Sequence, residues 1–232
     1  MKRNREIRAA ALEALQGRWG WAILVCIIYG AIVSVCVVPN SIGSGMRAGT
    51  MMSGNHCLMP TIAGISAILS LITTGLVIFA ASPLGVGFNN SFVKYYKKEG
   101  DDSQVIANIF CLGFAGGRYW RNVAGMLLVG VFTFLWALLL IVPGIIKGYA
   151  YAMTPYILND NPELGPNQAR LKSIEMMRGY KGKLFGLDLS FIGWHLLCIL
   201  SLGIGYIWLT PYFTTARAAF YQELLNAQKV EN

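Results

Sequence analysis

Charge is scarce in this chain. Asp, Glu, Lys and Arg make up 13% of its 232 residues, about half the roughly 25% of an average soluble domain. A soluble globule needs a charged skin, and so few charges, gathered in a few places, cannot supply one. That excludes an ordinary cytosolic enzyme and a disordered chain. Cysteine is scarce too. Cys26, Cys36, Cys57, Cys111 and Cys198 form no CxxC and no paired spacing, which excludes a disulfide scaffold. Those inside apolar runs behave as small hydrophobes.

Chemical motifs are missing as well. There is no GxSxG, HExxH, P-loop or paired-carboxylate constellation, so the chain reads as non-enzymatic and without a cofactor. Acidic residues number 11 against 19 basic ones, for a net charge of +8. No basic run interleaves with aromatics as nucleic-acid binders require, so nucleic acid is not an expected partner.

What is abundant is apolar surface: 55% of residues are hydrophobic and mean hydropathy is +0.52. The expected fold is all-α, a polytopic transmembrane bundle forming one integral membrane domain over residues 1–232. It comprises about six membrane helices in three hairpins, with short interfacial amphipathic helices. Crossing a ~30 Å hydrocarbon core takes about 20 apolar residues. Residues 19–38 meet that length without a charge, and exceed the roughly 7–15 residues of a signal-peptide core. Residues 61–93 are too long for one straight span at about 1.5 Å per residue. Either they kink near Thr73-Thr74-Gly75 or at Pro83, or their first turns lie along the outer surface. Residues 122–142 end where Pro143 and Gly144 break the helix. The segment 144–159 is short and carries Lys147, Tyr149, Tyr151 and Tyr156. Residues 184–202 form the fifth segment. After a break at Gly203, residues 204–224 include Pro211 and Arg217.

The charge pattern supports the two weaker segments. With six crossings and the N-terminus inside, all of the 19 Lys and Arg except Arg47 and Lys147 fall on the inner side, as the positive-inside rule requires. Merging each broken pair into one crossing moves the basic stretch from Lys147 to Lys183 outside. A weak repeat points the same way: Pro143-Gly144-Ile145 precedes Thr154-Pro155-Tyr156, and Gly203-Ile204 precedes Thr210-Pro211-Tyr212.

Between the spans, residues 3–18 read as an amphipathic helix on the inner interface, with Ile7, Ala11, Leu12 and Leu15 on one side. Asp101-Asp102-Ser103 can cap a helix whose face is Val105, Ile106, Ile109 and Phe110. Residues 166–179 form another, with Pro166 in the first turn, Leu171, Ile174 and Met177 on its apolar side, and Gly179 at its end. This basic collar either anchors the topology or binds anionic lipids at the cytoplasmic face. Residues 39–60 read as a disordered outer loop. They include Met46, Met51, Met52, His56, Cys57 and Met59, soft groups of the kind that hold copper(I). Their spacing matches no ligand motif, and no metal is expected. Asn159, Asp160 and Glu163 read as loop solvation.

Ionisable groups at membrane depth are costly. Asp188 lies 15 residues before Gly203 and Arg217 lies 14 after it, so an antiparallel hairpin turning at Gly203 brings them to one depth as an ion pair. The pair is a structural clamp or part of an ion-coupled site with Ser190 and His195, or else the charges snorkel to the inner interface. A lone His beside Trp194 reads first as a packing residue, and Lys147 is near enough to the Pro143-Gly144 turn to snorkel outward.

Several stretches together resemble a bacterial integral-membrane family catalogued as domain of unknown function nine-seven-five. They are Asn4-Arg5-Glu6-Ile7-Arg8, Ala10 to Leu15, Gly17-Arg18-Trp19, Ile141 to Lys147, Tyr156-Ile157-Leu158, Ser173 and Met177-Arg178-Gly179. Leu187 to Trp194, Gly203-Ile204-Gly205, Trp208-Leu209, Pro211-Tyr212 and Phe220-Tyr221 complete the pattern. The resemblance implies a multi-pass protein of the bacterial plasma membrane and carries no catalytic residue. The expected protein is therefore a non-enzymatic accessory, scaffold, stress or immunity component, with both termini cytoplasmic. It acts with a protein partner or as a homo-oligomer. The alternatives are a small transporter or channel using the last hairpin, and, third, a lipid-modifying enzyme.

Overall fold

A computed structural model describes residues 2–53, 56–99, 107, 113–114 and 117–231. All regular structure among them is helical. Helix α1 spans Asn4–Leu15 and α2 spans Trp19–Ser53. A 3-10 turn, His56–Leu58, leads into α3 (Met59–Leu76), which passes through a π-helical turn, Val77–Ala81, into α4 (Ser82–Lys97). Then follow α5 (Tyr119–Leu139), α6 (Ile141–Tyr151), α7 (Thr154–Asp160), α8 (Pro166–Met176), α9 (Lys181–Leu189), α10 (Ile192–Leu200) and α11 (Tyr206–Glu231). The helix expected after Asp101-Asp102-Ser103 lies outside the described residues, as does Cys111.

Among the described residues, four helical stretches are long and apolar enough to cross a membrane: Trp19–Met52, Met59–Lys97, Tyr119–Leu139 and Lys181–Leu200. The segments 144–159 and 204–224 are helical but fall outside this set. The first is divided at Ala152–Met153 into α6 and α7. The second lies in α11, whose later residues are polar and charged.

The large apolar side chains show a trend along the long helices, with small and polar residues such as Cys36, Ser66 and Cys198 buried outside it. In α2, Ala22 and Val25 are buried, whereas Val35, Val37 and Val38 are exposed. In α5, Asn122 and Val123 are buried, and exposure climbs to 74% at Leu138. Beyond the buried Phe191, α10 ends at Leu200, 82% exposed. The α3–α4 stretch runs the other way in sequence: Ile68 and Leu71 are exposed, and Leu84, Phe88 and Phe92 are buried. In α11, Trp208 is exposed, while Ala216, Phe220, Tyr221 and Leu224 are buried. The packed base is therefore built from α1, α4, α7 and the latter half of α11, with one end of each long helix attached. In lipid, apolar side chains gain little by leaving hydrocarbon for protein, so the far ends need no core.

Several local expectations are corrected. Residues 39–53 are not a disordered loop but the continuation of α2. Gly43 lets α3 approach closely: a Cβ there would lie 3.1 Å from the Ser66 Cβ. Residues 61–93 stay helical throughout, with a π-helical turn at Val77–Ala81 between the two expected kinks. Pro83 has no N–H to donate back to the Phe79 carbonyl, and the Tyr119 hydroxyl donates to that carbonyl at 2.7 Å instead. The break before α6 is not at Pro143 and Gly144 but at Leu140, which is extended (φ −161°, ψ 136°). Pro143 sits in the first turn of α6, where an N–H has no helical partner to lose. A Cβ on Gly144 would lie 2.7 Å from the Ala137 Cα, so glycine permits the close α5–α6 approach.

Nor does α1 turn its apolar side to the membrane. Ile7, Ala11 and Leu15 are buried in the protein core, and only Leu12 of that side is exposed. The α1 stripe is short and its middle is alanine, which suits a close packing surface against α4 and α11. In α8 the buried face is Ala169, Arg170, Ser173 and Met176, continuing to Met177, while Leu171 is exposed. Two polar contacts turn the helix that way: Ser173 donates to the Ala150 carbonyl at 2.8 Å, and the Arg170 guanidinium lies 4.2 Å from the Phe132 ring centre.

Candidate functional site

Asp188 is the next-to-last residue of α9, immediately before a turn at Ser190–Phe191 divides the segment 184–202. Arg217 stands midway along α11. The two helices are reversed by a Schellman-type turn: Gly203 N–H donates to the Cys198 carbonyl at 2.9 Å and Leu202 N–H to the Ile199 carbonyl at 3.1 Å. Leu202 and Gly203 both take positive φ, 53° and 89°, and glycine makes the second of these strain-free.

The reversal brings Asp188 and Arg217 into contact. Arg217 donates through Nη2 to Asp188 Oδ2 at 2.6 Å and through Nε to Oδ1 at 3.2 Å, the two-pronged geometry in which guanidinium–carboxylate pairs are strongest. Tyr149, from α6, donates its hydroxyl to Oδ2 at 3.1 Å. The Arg217 guanidinium also lies over Phe213, 4.8 Å from the ring centre. Asp188 thus accepts three hydrogen bonds from two other helices, and its charge is matched. Arg217 and Tyr149 border an open cleft of about 450 Å³ between α5 and α6, with Thr133, Gly144 and Gly148 on its wall.

Ser190 and His195 do not extend this cluster. The Ser190 hydroxyl donates to the Leu187 carbonyl of its own helix at 2.6 Å. His195 packs against Tyr206 and Phe213, with ring centres 5.7 and 5.8 Å away. Its shared neighbour with Arg217 is an aromatic ring. Lys147 lies over Trp136, 4.8 Å from the ring centre.

A second polar cluster fills the packed base, and sequence reasoning missed it. Tyr156 and Tyr221 stack with ring centres 5.0 Å apart. Tyr156 donates to Asn89 at 3.2 Å and Tyr221 to Asp160 at 2.9 Å. Asp160 ends α7 and is exposed, and it also accepts from a buried tyrosine. Arg121 binds the carbonyls of Leu158 (2.6 Å), Asn161 and Pro162, a cation at the carbonyl end of α7, where the helix dipole favours it. At the chain's start, Lys2 pairs with Glu223 at 3.0 Å. That hydrogen bond and the carboxylate's charge raise the Lys2 ammonium above its ordinary pKa. Among these contacts, only the tyrosine repeat within Thr-Pro-Tyr carried a sequence signal.

These buried polar contacts lie mostly between α5 and α11. Residues 122–228 match the family model described as "Protein of unknown function (DUF975)". The DUF975 match includes Tyr149, Asp188 and Arg217, the turns at Gly144 and Gly203, and the stacked Tyr156 and Tyr221. It leaves α1 to α4 outside, so the resemblance at Asn4–Trp19 is not part of the matched range. No curated protein and no solved structure matches the chain.

Proposed function

We propose that this is a non-enzymatic, six-crossing protein of the bacterial plasma membrane. Both termini are cytoplasmic, and its packed base serves as an accessory or scaffold module for a protein partner at the inner face. The observation that carries this reading is the coincidence of packing, polar bonding and positive charge at one end. The base gathers Lys2, Arg121 and Arg170, and the exposed Arg178 lies beside it, while the opposite ends of the helices present leucine, isoleucine and tryptophan. Six crossings place the turns at Leu140 and Gly203 together on the outer side, where the side chains are most exposed and apolar. The Asp188–Arg217–Tyr149 cluster then acts as a clamp joining the last two hairpins.

Purification of the full chain in mild detergent tests this. A protein retained at fixed stoichiometry, lost on Arg178→Glu, is the expected result, with no ion or solute flux in reconstituted vesicles. One observation favours a transporter as the second reading: Arg217 and Tyr149 border an open cleft between α5 and α6. Flux that disappears in a folded Asp188→Asn variant would establish that reading and remove the first.

A further inference from the structure

Arg47 is the only Lys, Arg, Asp or Glu between Arg18 and Lys94. It stands on α2 about 42 Å along the helix from Trp19, past the far boundary of a ~30 Å hydrocarbon core. An arginine near that boundary ordinarily stretches its head away from the hydrocarbon, into water. Arg47 does the reverse. Its Nε donates to the Ser66 hydroxyl on α3, and Ser66 is level with Gly43, one turn back along α2 toward the base. The side chain therefore follows the Cα–Cβ direction of its helix into the space between α2 and α3.

That space is a cleft of about 440 Å³, bordered by Asn40, Gly43, Ser44 and Arg47 of α2 and by Ser66 and Ser70 of α3. Asn40 and Arg47 are two turns apart, so it runs for about 10 Å. Gly43 and Ser44, between them, are small and leave it open. Ser66 is 4% exposed. It gives its own proton to the Ala63 carbonyl at 2.9 Å and so meets Arg47 purely as an acceptor. Both Nη groups of Arg47, with four N–H donors, have no acceptor among the described residues, and neither the Asn40 amide nor the Ser70 hydroxyl has a partner there. Among those residues no carboxylate is within ion-pair distance of Arg47, and the sequence has none between Glu13 and Glu99.

We propose that the α2–α3 cleft is a binding site for a phosphate group, gripped by the Arg47 guanidinium and bonded by Asn40 and Ser70. A guanidinium suits this anion because its parallel N–H groups meet two oxygens at once. A carboxylate has no oxygen left for Asn40 and Ser70 once both are on the arginine; a phosphate group has. The ligand supplies the charge that the whole α2–α3 hairpin lacks. A phospholipid headgroup and a soluble phosphate both present this chemistry at the depth of the cleft. Its place on the outer side rests on the orientation proposed above. Binding does not, because it is read in detergent without reference to sidedness.

The test uses the delipidated full chain in a maltoside detergent, which carries no phosphate. Inorganic phosphate is followed by broadening of its phosphorus NMR resonance. Phosphatidylglycerol is followed by native mass spectrometry against diacylglycerol of identical acyl chains. Binding that depends on Arg47 is expected from at least one source: phosphate alone assigns a soluble anion, phosphatidylglycerol alone a headgroup, and both a site open to either. Arg47→Ala is expected to weaken it at least about tenfold, the loss of hydrogen bonds to a charged group. Arg47→Lys is expected to recover only part, because an ammonium cannot make the two-pronged contact. Ser70→Asp, at an exposed position, puts a carboxylate on the cleft wall as an internal counter-ion. It is expected to abolish binding even if Arg47→Ala fails to fold. Helical content and a single gel-filtration species certify each variant. Binding of neither phosphate source, equal retention of diacylglycerol, equal competition by acetate, or unchanged binding in a folded Arg47→Ala or Ser70→Asp protein would each overturn the proposal.

Discussion

Asp188 and Arg217 show how much a single turn determines at the level of individual residues. A partly buried, hydrogen-bonded ion pair such as this loses more when one partner is removed than it contributes as a pair, because the survivor keeps its desolvation cost. Asp188→Asn or Arg217→Gln is therefore expected to cost about 3 kcal/mol, the low end of the range for buried pairs, since 34% of the Arg217 side chain is exposed. The double variant is expected to recover most of that loss in detergent thermal unfolding, giving a clear coupling energy. Tyr149→Phe removes one hydrogen bond and is expected to cost about 1 kcal/mol. A double variant no more stable than the worse single one would mean that each charge serves something other than its partner. Counting residues on either side of Gly203 placed Asp188 and Arg217 at the same depth. Tyr149 was not legible, because it arrives from a different hairpin and no spacing within the last two helices encodes it. Ser190 misled for a local reason: at a helix end its hydroxyl finds a backbone carbonyl nearer than any functional partner.

Among the helices, prolines were visible in the sequence but their consequences were not. Pro143, in a first turn, does not break the chain where it stands. Pro83, farther along a continuous stretch, is accompanied by a π turn just before it and leaves the Phe79 carbonyl to a tyrosine 40 residues away. Tyr119→Phe is expected to lower thermal stability by about 1 kcal/mol and to have much less effect in a Pro83→Ala background, where the helix can bond that carbonyl itself. Equal losses in both backgrounds would show that the hydroxyl does not compensate for the proline. Gly144 offers a sharper perturbation. Gly144→Val brings a branched side chain against the Ala137 backbone and is expected to destabilise by roughly 1–3 kcal/mol, read as a lower unfolding temperature. Glycine and serine in residues 40–53 read as a loop because composition cannot separate chain flexibility from close packing between two membrane helices. Both favour small side chains.

For the whole molecule, the charge pattern and the burial pattern are independent, and both separate the packed base from the apolar far ends. Cys57 is exposed at the far end from the packed base. In the six-crossing orientation a membrane-impermeant thiol reagent is expected to label Cys57 in intact cells and to spare Cys111. Labelling of Cys111 from outside would reverse the orientation. The all-α class and the apolar stretches were legible because length and hydropathy are local properties. The division of labour between a packed base and sparsely packed far ends was not, because it depends on which apolar side chains meet protein and which meet hydrocarbon.

That division has a mechanical consequence. The α5–α6 hairpin is fixed at its buried end, and from Leu127 to Leu139, a length of about 20 Å, most of the large side chains of α5 are exposed and α6 is its main support. It is a lever with its fulcrum in the base. Lateral pressure on the far ends acts with that arm, so a change in bilayer thickness or tension reaches Arg121, Asp160 and the stacked tyrosines as torque. Among the contacts such strain would load are the hydrogen bonds of Arg121 and Tyr221 in the base.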